Sequence, residues 1–198
     1  MRTPTGPDPA CPPGQAPVVV LFGFMGAGKS AVGERLAHAL GVQVVDSDDA
    51  IVAEQGRSIA DIFATDGEPA FRALEHTVVA RLLTRPGVVL ALGGGAAMHP
   101  ATQALLRAHP CTVHLAVSLP VALARCGDDP TRPMLRHPDL ATLHARRTAA
   151  YSELATHVID TDRLDADQVC RDILEVLADR PTHRSHPDST RRHPPGSG

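Results

Sequence analysis

The chain has 198 residues, a length typical of one domain with a substantial core. It carries 19 Lys and Arg against 22 Asp and Glu, and its net charge of −3 with no Trp argues against a nucleic-acid partner. No apolar run is long enough to span a membrane, and the proline-rich N-terminus lacks the apolar core of a signal peptide. We therefore expect a cytoplasmic protein with no membrane partner.

Cysteine and histidine spacing gives no sign of a disulfide framework or a structural metal. The four cysteines, at 11, 111, 126 and 170, form no CxxC pair and read as reduced thiols. The 11 histidines include no HExxH motif. Residues 1–15 are dense in Pro and Gly, and residues 179–198 are a Pro/His/Arg/Ser segment without an apolar face. We predict a disordered leader and a disordered tail on either side of a single domain at 16–178.

The first predicted element is a buried strand at 18–22, which runs directly into the sequence GFMGAGKS at 23–30. This is a complete GxxxxGK[ST] phosphate-binding loop, and a helical pattern follows it with Val32, Leu36, Ala39 and Leu40 on one face. A glycine-rich turn with a chance lysine is the alternative. The strand–loop–helix setting favours the phosphate-binding interpretation.

Such a loop binds a nucleoside triphosphate through its backbone N–H groups and the helix N-terminus behind them. We predict that Lys29 reaches the β- and γ-phosphates and that the Ser30 hydroxyl binds Mg²⁺. We expect the nucleotide to contact Gly26, Ala27, Gly28, Lys29, Ser30 and Ala31.

The rest of the chain alternates between predicted strands and helices. The strands fall at 42–45, 88–92, 112–117 and 157–160. The helices fall at 47–55 with Ser47 or Asp48 as cap, at 58–63, and at 69–83, 100–108, 120–125, 139–154 and 165–177. The alternation predicts an α/β fold, a three-layer α/β/α domain on a five-stranded parallel sheet.

Three polar or glycine-rich segments follow directly after predicted strands. They are the phosphate-binding loop, the Asp46–Asp48 segment and the triple glycine at 93–95. Ligands of parallel sheets bind at the carboxyl ends of the strands, so we expect these segments to meet at one edge.

Asp46 and Asp48 are the first candidates for chemistry at that edge. Carboxylates beside a triphosphate suit Mg²⁺, so one could hold the metal. The other could accept a hydrogen bond from a substrate hydroxyl and orient it toward the γ-phosphate. The alternative is an ordinary helix N-cap with solvated acids.

Charged residues further along the chain admit two interpretations each. Arg72 and Glu75 could be a surface ion pair or part of a site, and the triple glycine could be a simple turn or a backbone that a ligand approaches closely. Arg125 and Arg132 flank a breaker-rich loop and suit stabilisation of phosphoryl charge. Arg146 and Arg147 could otherwise belong to a solvated helix face.

Two classes of nucleotide-binding protein fit the motifs poorly. The third strand ends in Gly93, where many ATPases carry an acidic residue, and the guanine-recognition motifs NKxD and TKxD do not occur. The class of nucleotide-binding protein that fits best is a small kinase that phosphorylates a hydroxyl group.

The motifs taken together resemble the shikimate kinase family. The resemblance runs from about residue 18 to 177 and is carried by GFMGAGKS at 23–30, VVDSDDAI at 44–51, GRSIADIF at 56–63, GEPAFRALE at 67–75, LGGG at 92–95, RP at 132–133 and RTAAY at 147–151. It implies a nucleoside-monophosphate-kinase type of fold with a substrate-binding helical region and a lid at about 126–137. It also implies ATP-dependent phosphorylation of the shikimate 3-hydroxyl in chorismate and aromatic amino-acid biosynthesis.

The resemblance further assigns roles to individual residues. Asp48, Arg72, Arg147 and the glycines Gly93, Gly94 and Gly95 match substrate-binding positions, and Glu75 matches an acid that positions Arg72 or the substrate. Ser30 and Asp46 match magnesium-binding positions. Arg132 matches a lid arginine that reaches the phosphates, and Arg125 one near the adenine. We take Lys29, Asp48 and Arg132 as the catalytic set, ATP and shikimate as partners, and the enzyme as a monomer.

Two features depart from the family pattern. The lid segment GDDPT at 127–131 is more acidic than usual, and Leu154 stands where the family often has valine. Two alternatives stay open: a kinase for another small polyol acid such as gluconate, and a nucleotide-binding regulator without catalysis.

Overall fold

Strand β1 (Val19–Gly23) lies at the centre of a parallel sheet because every one of its side chains is apolar and buried. The computed structural model describes residues 19–127 and 138–179. Within them the other strands are β2 (Gln43–Asp46), β3 (Val88–Ala91), β4 (Thr112–Ala116) and β5 (His157–Asp160). Their order is β2-β3-β1-β4-β5, and all pairs are parallel. The predicted five-stranded α/β fold is confirmed.

Seven helices accompany these strands in the described part of the chain, residues 19–127 and 138–179. They are α1 (Lys29–Leu40), α2 (Ser47–Gln55), α3 (Ile59–Leu82), α4 (Pro100–Ala108), α5 (Leu119–Cys126), α6 (Leu140–Leu154) and α7 (Ala166–Ala178), with a short 3-10 turn at Ala96–Met98. No helix of the two described ranges is long and apolar enough to cross a membrane. The predicted leader, most of the predicted lid and almost all of the predicted tail lie outside the described residues.

The sheet separates two hydrophobic cores. On one face, Leu36 of α1 and Ile173 of α7 pack against the sheet residues Leu21 and Val113. On the other face, α2, α3, α4 and α6 cover Val20 and Leu90. Both faces of the central strands are therefore dry, and polar groups concentrate where the strands end.

Helix bounds follow the sequence expectations closely, with two corrections, one to the cap of α2 and one to the buried face of α1. The cap of α2 is Asp46, whose side chain accepts from the Asp48 N–H, and not Ser47 or Asp48. The two predicted helices at 58–63 and 69–83 correspond to the two segments of α3, which is interrupted at Gly67, where the φ of 80° and ψ of 167° are not helical. Ala39 of α1 is exposed, whereas Ala37 is buried in its place.

His114 of β4 is a buried histidine at the core beside the site. Its ring lies between Phe22, at a centroid distance of 6.2 Å, and Tyr151, at 5.4 Å. Burial lowers the pKa of His114 from 6.5 to about 4, and electrostatic interactions with His144 and Lys29 act in the same direction. The ring is therefore neutral in the folded protein at pH values where it is charged in the unfolded chain.

This pKa difference predicts acid sensitivity. Between pH 6.5 and about 4 the unfolded state binds more protons at His114, so the free energy of unfolding falls as pH falls. We expect the wild type to lose up to about 1.4 kcal/mol per pH unit more than His114→Gln over this window. Urea denaturation of both proteins at several pH values measures the difference, and parallel curves would contradict it.

Candidate active site

The phosphate-binding loop connects β1 to α1, as its sequence predicts. Gly26 and Gly28 adopt φ values of 74° and 91°, a conformation that suits glycine, and Gly28 is the N-cap of α1. Lys29 Nζ donates to the carbonyl oxygens of Gly23 at 2.9 Å and Phe24 at 3.2 Å. The amine is thereby held across the loop, and Ser30 and Ala31 follow it in the first turn of α1.

Asp46 and Asp48 lie at the end of β2 and the start of α2. Burial raises the pKa of Asp46, although the Asp48 N–H it accepts from opposes this. Burial also raises the pKa of Asp48 to about 6, and the charges of Asp46 and Glu75 add to the shift while Lys29 opposes it. Asp46 is thus a helix cap and also a neighbour of the phosphate-binding loop.

The triple glycine after β3 is the surface on which the charged groups converge. A β-carbon at Gly93 would lie 2.7 Å from Asp48 Cγ, and one at Gly95 would lie 2.8 Å from Arg72 Cζ. A β-carbon at Gly94 would lie 3.6 Å from an Arg147 guanidinium nitrogen, an ordinary contact. Asp48, Arg72 and Arg147 therefore lie side by side along one stretch of backbone.

Glu75 and Arg147 are more deeply buried than the members of a surface ion pair would be. Arg72 Nη1 donates to Glu75 Oε2 at 2.7 Å, and the Glu75 side chain is 2% exposed. Burial raises the pKa of Glu75, although Arg72 and Arg147 oppose this. Arg147 is 8% exposed, and its Nε has no hydrogen-bond partner among the described residues. The solvated-face alternative for Arg147 is wrong.

Arg72 and Arg147 line a cleft of about 480 Å³. Arg72, Arg147, Gly95 and His99 contribute to its wall together with Phe63. The Arg72 guanidinium lies 5.7 Å from the Phe63 ring centroid, which fixes it between an aromatic face and Glu75. The cleft is thus cationic and preorganised, as a site for a small anion requires.

A second cleft, of about 220 Å³, lies on the other side of the phosphate-binding loop. Its wall includes Gly26, Ala27, Gly28 and Arg125 together with Thr161 and Leu164. Arg125 Nη1 donates to the Gly26 carbonyl at 3.2 Å and to Thr161 Oγ1 at 3.1 Å. Arg125 therefore ties the phosphate-binding loop to the segment after β5. Arg132 lies outside the described residues.

Sequence reasoning missed several residues of these clefts. Ser47, which is fully buried, accepts from the Gly93 N–H at 2.8 Å, and Tyr151 O–H donates to the Gly94 carbonyl. Phe63, His99 and Thr161 line the two walls. Ser47 lies in the motif at 44–51 and Tyr151 in the motif at 147–151. Thr161 directly follows the strand β5, and this position at the carboxyl end of a parallel strand is a sequence signal for a site residue.

A parallel sheet whose central strand leads into a phosphate-binding loop, with one cleft lined by that loop and a cationic cleft lined by Arg72 and Arg147, is the arrangement of a P-loop kinase. Comparison with known proteins narrows the class. The sequence model of the family described as "Shikimate kinase" matches residues 25–178. The chain belongs to the shikimate kinase family.

Individual relatives support this assignment. The chain is 46% identical to shikimate kinase of Mycobacterium tuberculosis strain ATCC 25177 / H37Ra, over 82% of this chain and 94% of that protein. It is 43% identical to the Mycobacterium ulcerans protein of the same name, over 88% and 96%. The solved structure of Acinetobacter baumannii shikimate kinase in complex with shikimate matches with a TM-score of 0.77 at 34% identity, covering 83% of this chain and 94% of that one.

The Ser47–Gly93 hydrogen bond leads to a prediction about stability. Ser47→Ala leaves the Gly93 N–H without its partner, and we expect a loss of about 1–3 kcal/mol in the free energy of unfolding. Thr77→Ala is the matched control, since its exposed hydroxyl bonds only within α3, and it should change stability by no more than about 0.5 kcal/mol. Urea denaturation compares the two, and equal losses would contradict the prediction.

Proposed function

We propose that this enzyme transfers the γ-phosphoryl group of ATP to the 3-hydroxyl of shikimate, giving shikimate 3-phosphate and ADP in chorismate and aromatic amino-acid biosynthesis. The observation that carries the proposal is the convergence of Asp48, Arg72 and Arg147 on the glycines at 93–95 beside the phosphate-binding loop. Membership in the family supports the choice of reaction.

Arg72 and Arg147 are the groups that would bind the shikimate carboxylate. Guanidinium groups present forked donors that match a planar carboxylate. Glu75 holds the Arg72 fork in place by the 2.7 Å ion pair, and Arg147 contributes to the wall of the same cleft. Gly93, Gly94 and Gly95 would let the hydroxylated ring of shikimate approach the backbone, because no β-carbon intervenes.

Asp48 is the residue that would act on the attacking hydroxyl. Its pKa of about 6 keeps it mostly ionised at neutral pH, yet basic enough to accept a proton as the new phosphate ester forms. Lys29 would reach the β- and γ-phosphates from the phosphate-binding loop, and residues 26–31 would contact the nucleotide. Arg125 would lie against the base. For Arg132 we propose stabilisation of the phosphoryl charge, on family resemblance alone.

Ser30 and Asp46 are the residues that would hold Mg²⁺. They offer a hydroxyl and a carboxylate, the hard oxygen donors this ion prefers, and the electrostatic coupling between Asp46 and Lys29 supports a place beside the phosphates. When bound, the ion neutralises charge on the β- and γ-phosphate oxygens. We propose that the enzyme is a monomer and that it acts in the cytoplasm, where ATP is available.

A coupled ADP-release assay with ATP and Mg²⁺ tests the proposal. Shikimate, gluconate and no acceptor are compared in parallel. We expect ADP release that depends on shikimate. Release with gluconate alone would indicate a kinase for a different polyol acid, and ATP binding without release would indicate a regulator or another acceptor.

Asp48→Asn should lower kcat by at least about 100-fold, since the amide cannot accept the proton. The Kd for ATP should stay nearly unchanged. Asp49→Asn is the matched control, because Asp49 is exposed on the same helix. If Asp48→Asn turned over like the control, Asp48 would have no role beyond local structure.

Arg147→Ala should raise the KM for shikimate at least about tenfold, because a charge-assisted hydrogen bond is lost. Arg147→Lys should recover only part of the loss, since an ammonium lacks the fork. Arg107→Ala, an exposed arginine at the end of α4, should leave the KM unchanged. An unchanged KM in Arg147→Ala would place the carboxylate elsewhere.

A further inference from the structure

We propose that Glu68 lowers the affinity of the acceptor site for its substrate. In the ligand-free enzyme the Glu68 carboxylate occupies the Nε–Nη2 edge of the Arg72 guanidinium, and the substrate carboxylate displaces it on binding. The inference rests on the proposed function, because it concerns the carboxylate of that same substrate.

The Arg72 guanidinium has two acidic partners on α3, which are held very differently. Nη1 donates to Glu75 Oε2 at 2.7 Å, and the Glu75 side chain is 2% exposed. Nε and Nη2 both donate to one oxygen of Glu68, Oε1, at 3.3 Å, and the Glu68 side chain is 67% exposed. Charge-assisted bonds of this kind are typically about 2.7–2.9 Å long, and exposed ion pairs contribute little stability. Glu75 is therefore the lasting partner of Arg72, and Glu68 is the replaceable one.

The Nε–Nη2 edge is the part of Arg72 that best fits a substrate carboxylate. Its two N–H groups point in parallel and can each donate to a separate carboxylate oxygen. Glu68 offers only one oxygen to both donors. Glu68, Arg72 and Gly95 line the same cleft of about 480 Å³, so a substrate carboxylate that reaches this edge enters the space beside Glu68. Because two carboxylates repel each other at such short range, the one with the better fit replaces the other.

Arg72 keeps its position without Glu68. Its Cζ atom lies 5.7 Å from the centroid of the Phe63 ring and 5.2 Å from that of the Phe71 ring, and Glu75 holds Nη1. These contacts fix the guanidinium between two aromatic side chains and a buried carboxylate. Loss of the Glu68 charge should therefore free the Nε–Nη2 edge for the substrate and leave the guanidinium in place.

Isothermal titration calorimetry with shikimate at low ionic strength tests this inference. Glu68→Gln keeps the size of the side chain and removes its charge, so the substrate no longer has to displace a carboxylate. We expect the Kd for shikimate to fall about threefold to fivefold relative to the wild type, with the Kd for ATP within about twofold. Glu175→Gln, which changes an exposed glutamate of α7, is the matched control and should leave the Kd for shikimate unchanged.

A crystal structure of the wild type with shikimate tests the displacement itself. The shikimate carboxylate should lie within hydrogen-bond distance of Arg72 Nε and Nη2, and the Glu68 carboxylate should have left both nitrogens. A complex in which Glu68 keeps its two hydrogen bonds to Arg72 would overturn the inference.

The possible results separate the inference from the proposed function. A wild type that phosphorylates shikimate, together with an equal or higher Kd for shikimate in Glu68→Gln, overturns the role of Glu68 alone. A wild type that neither binds nor phosphorylates shikimate overturns the proposed function and this inference with it. If Glu68→Gln lowers Tm by more than a few degrees, Glu68→Ala replaces it, since that variant also removes the carboxylate.

Discussion

The close approach of side chains to the backbone at Gly93 and Gly95 is the constraint on which the rest of the site depends. The Asp48 carboxylate and the Arg72 guanidinium occupy the space that β-carbons would fill. The two groups come from different helices, α2 and α3. They reach the same glycine segment because α2 follows β2, the neighbour of β3 in the sheet, and α3 packs on the same sheet face. The order of the strands thus determines which side chains approach the glycine segment. The absence of β-carbons at Gly93 and Gly95 determines how closely those side chains approach the backbone.

This arrangement places charged side chains in a buried region, where removing them from water costs free energy. Glu75 and Arg147 are both nearly buried, and burial raises the pKa of both Glu75 and Asp48. The ion pair between Arg72 and Glu75 offsets part of that cost, whereas Arg147 Nε keeps no partner among the described residues. Charged groups that are held at such a cost are fixed in position before any ligand arrives, which is what preorganisation of a site means.

Much of the fold followed from local sequence signals. The valine-rich strands, the phosphate-binding loop and the order of helices follow from short stretches of the chain, and β5 and α4 begin and end as predicted. Family resemblance supplied most roles in the site. The chemistry of residue types pointed to Lys29 and Asp48 without it.

What could not be predicted depends on contacts between distant segments. Asp46, Ser47 and Asp48 can all cap a helix, and only the path of the chain after β2 decides that Asp46 caps while Ser47 bonds to Gly93. His99 has no motif of its own, and its place in the cleft appears only when α4 is packed beside α3.

Shikimate binding by Gly95→Ala and Gly94→Ala tests the central claim most directly. A β-carbon at Gly95 displaces the end of the flexible Arg72 side chain, whereas one at Gly94 makes an ordinary 3.6 Å contact with Arg147. The account predicts that Gly95→Ala folds normally and raises the Kd for shikimate at least about tenfold, with a change of no more than about threefold in Gly94→Ala. Equal effects in the two variants, or tight binding by Gly95→Ala, would contradict it.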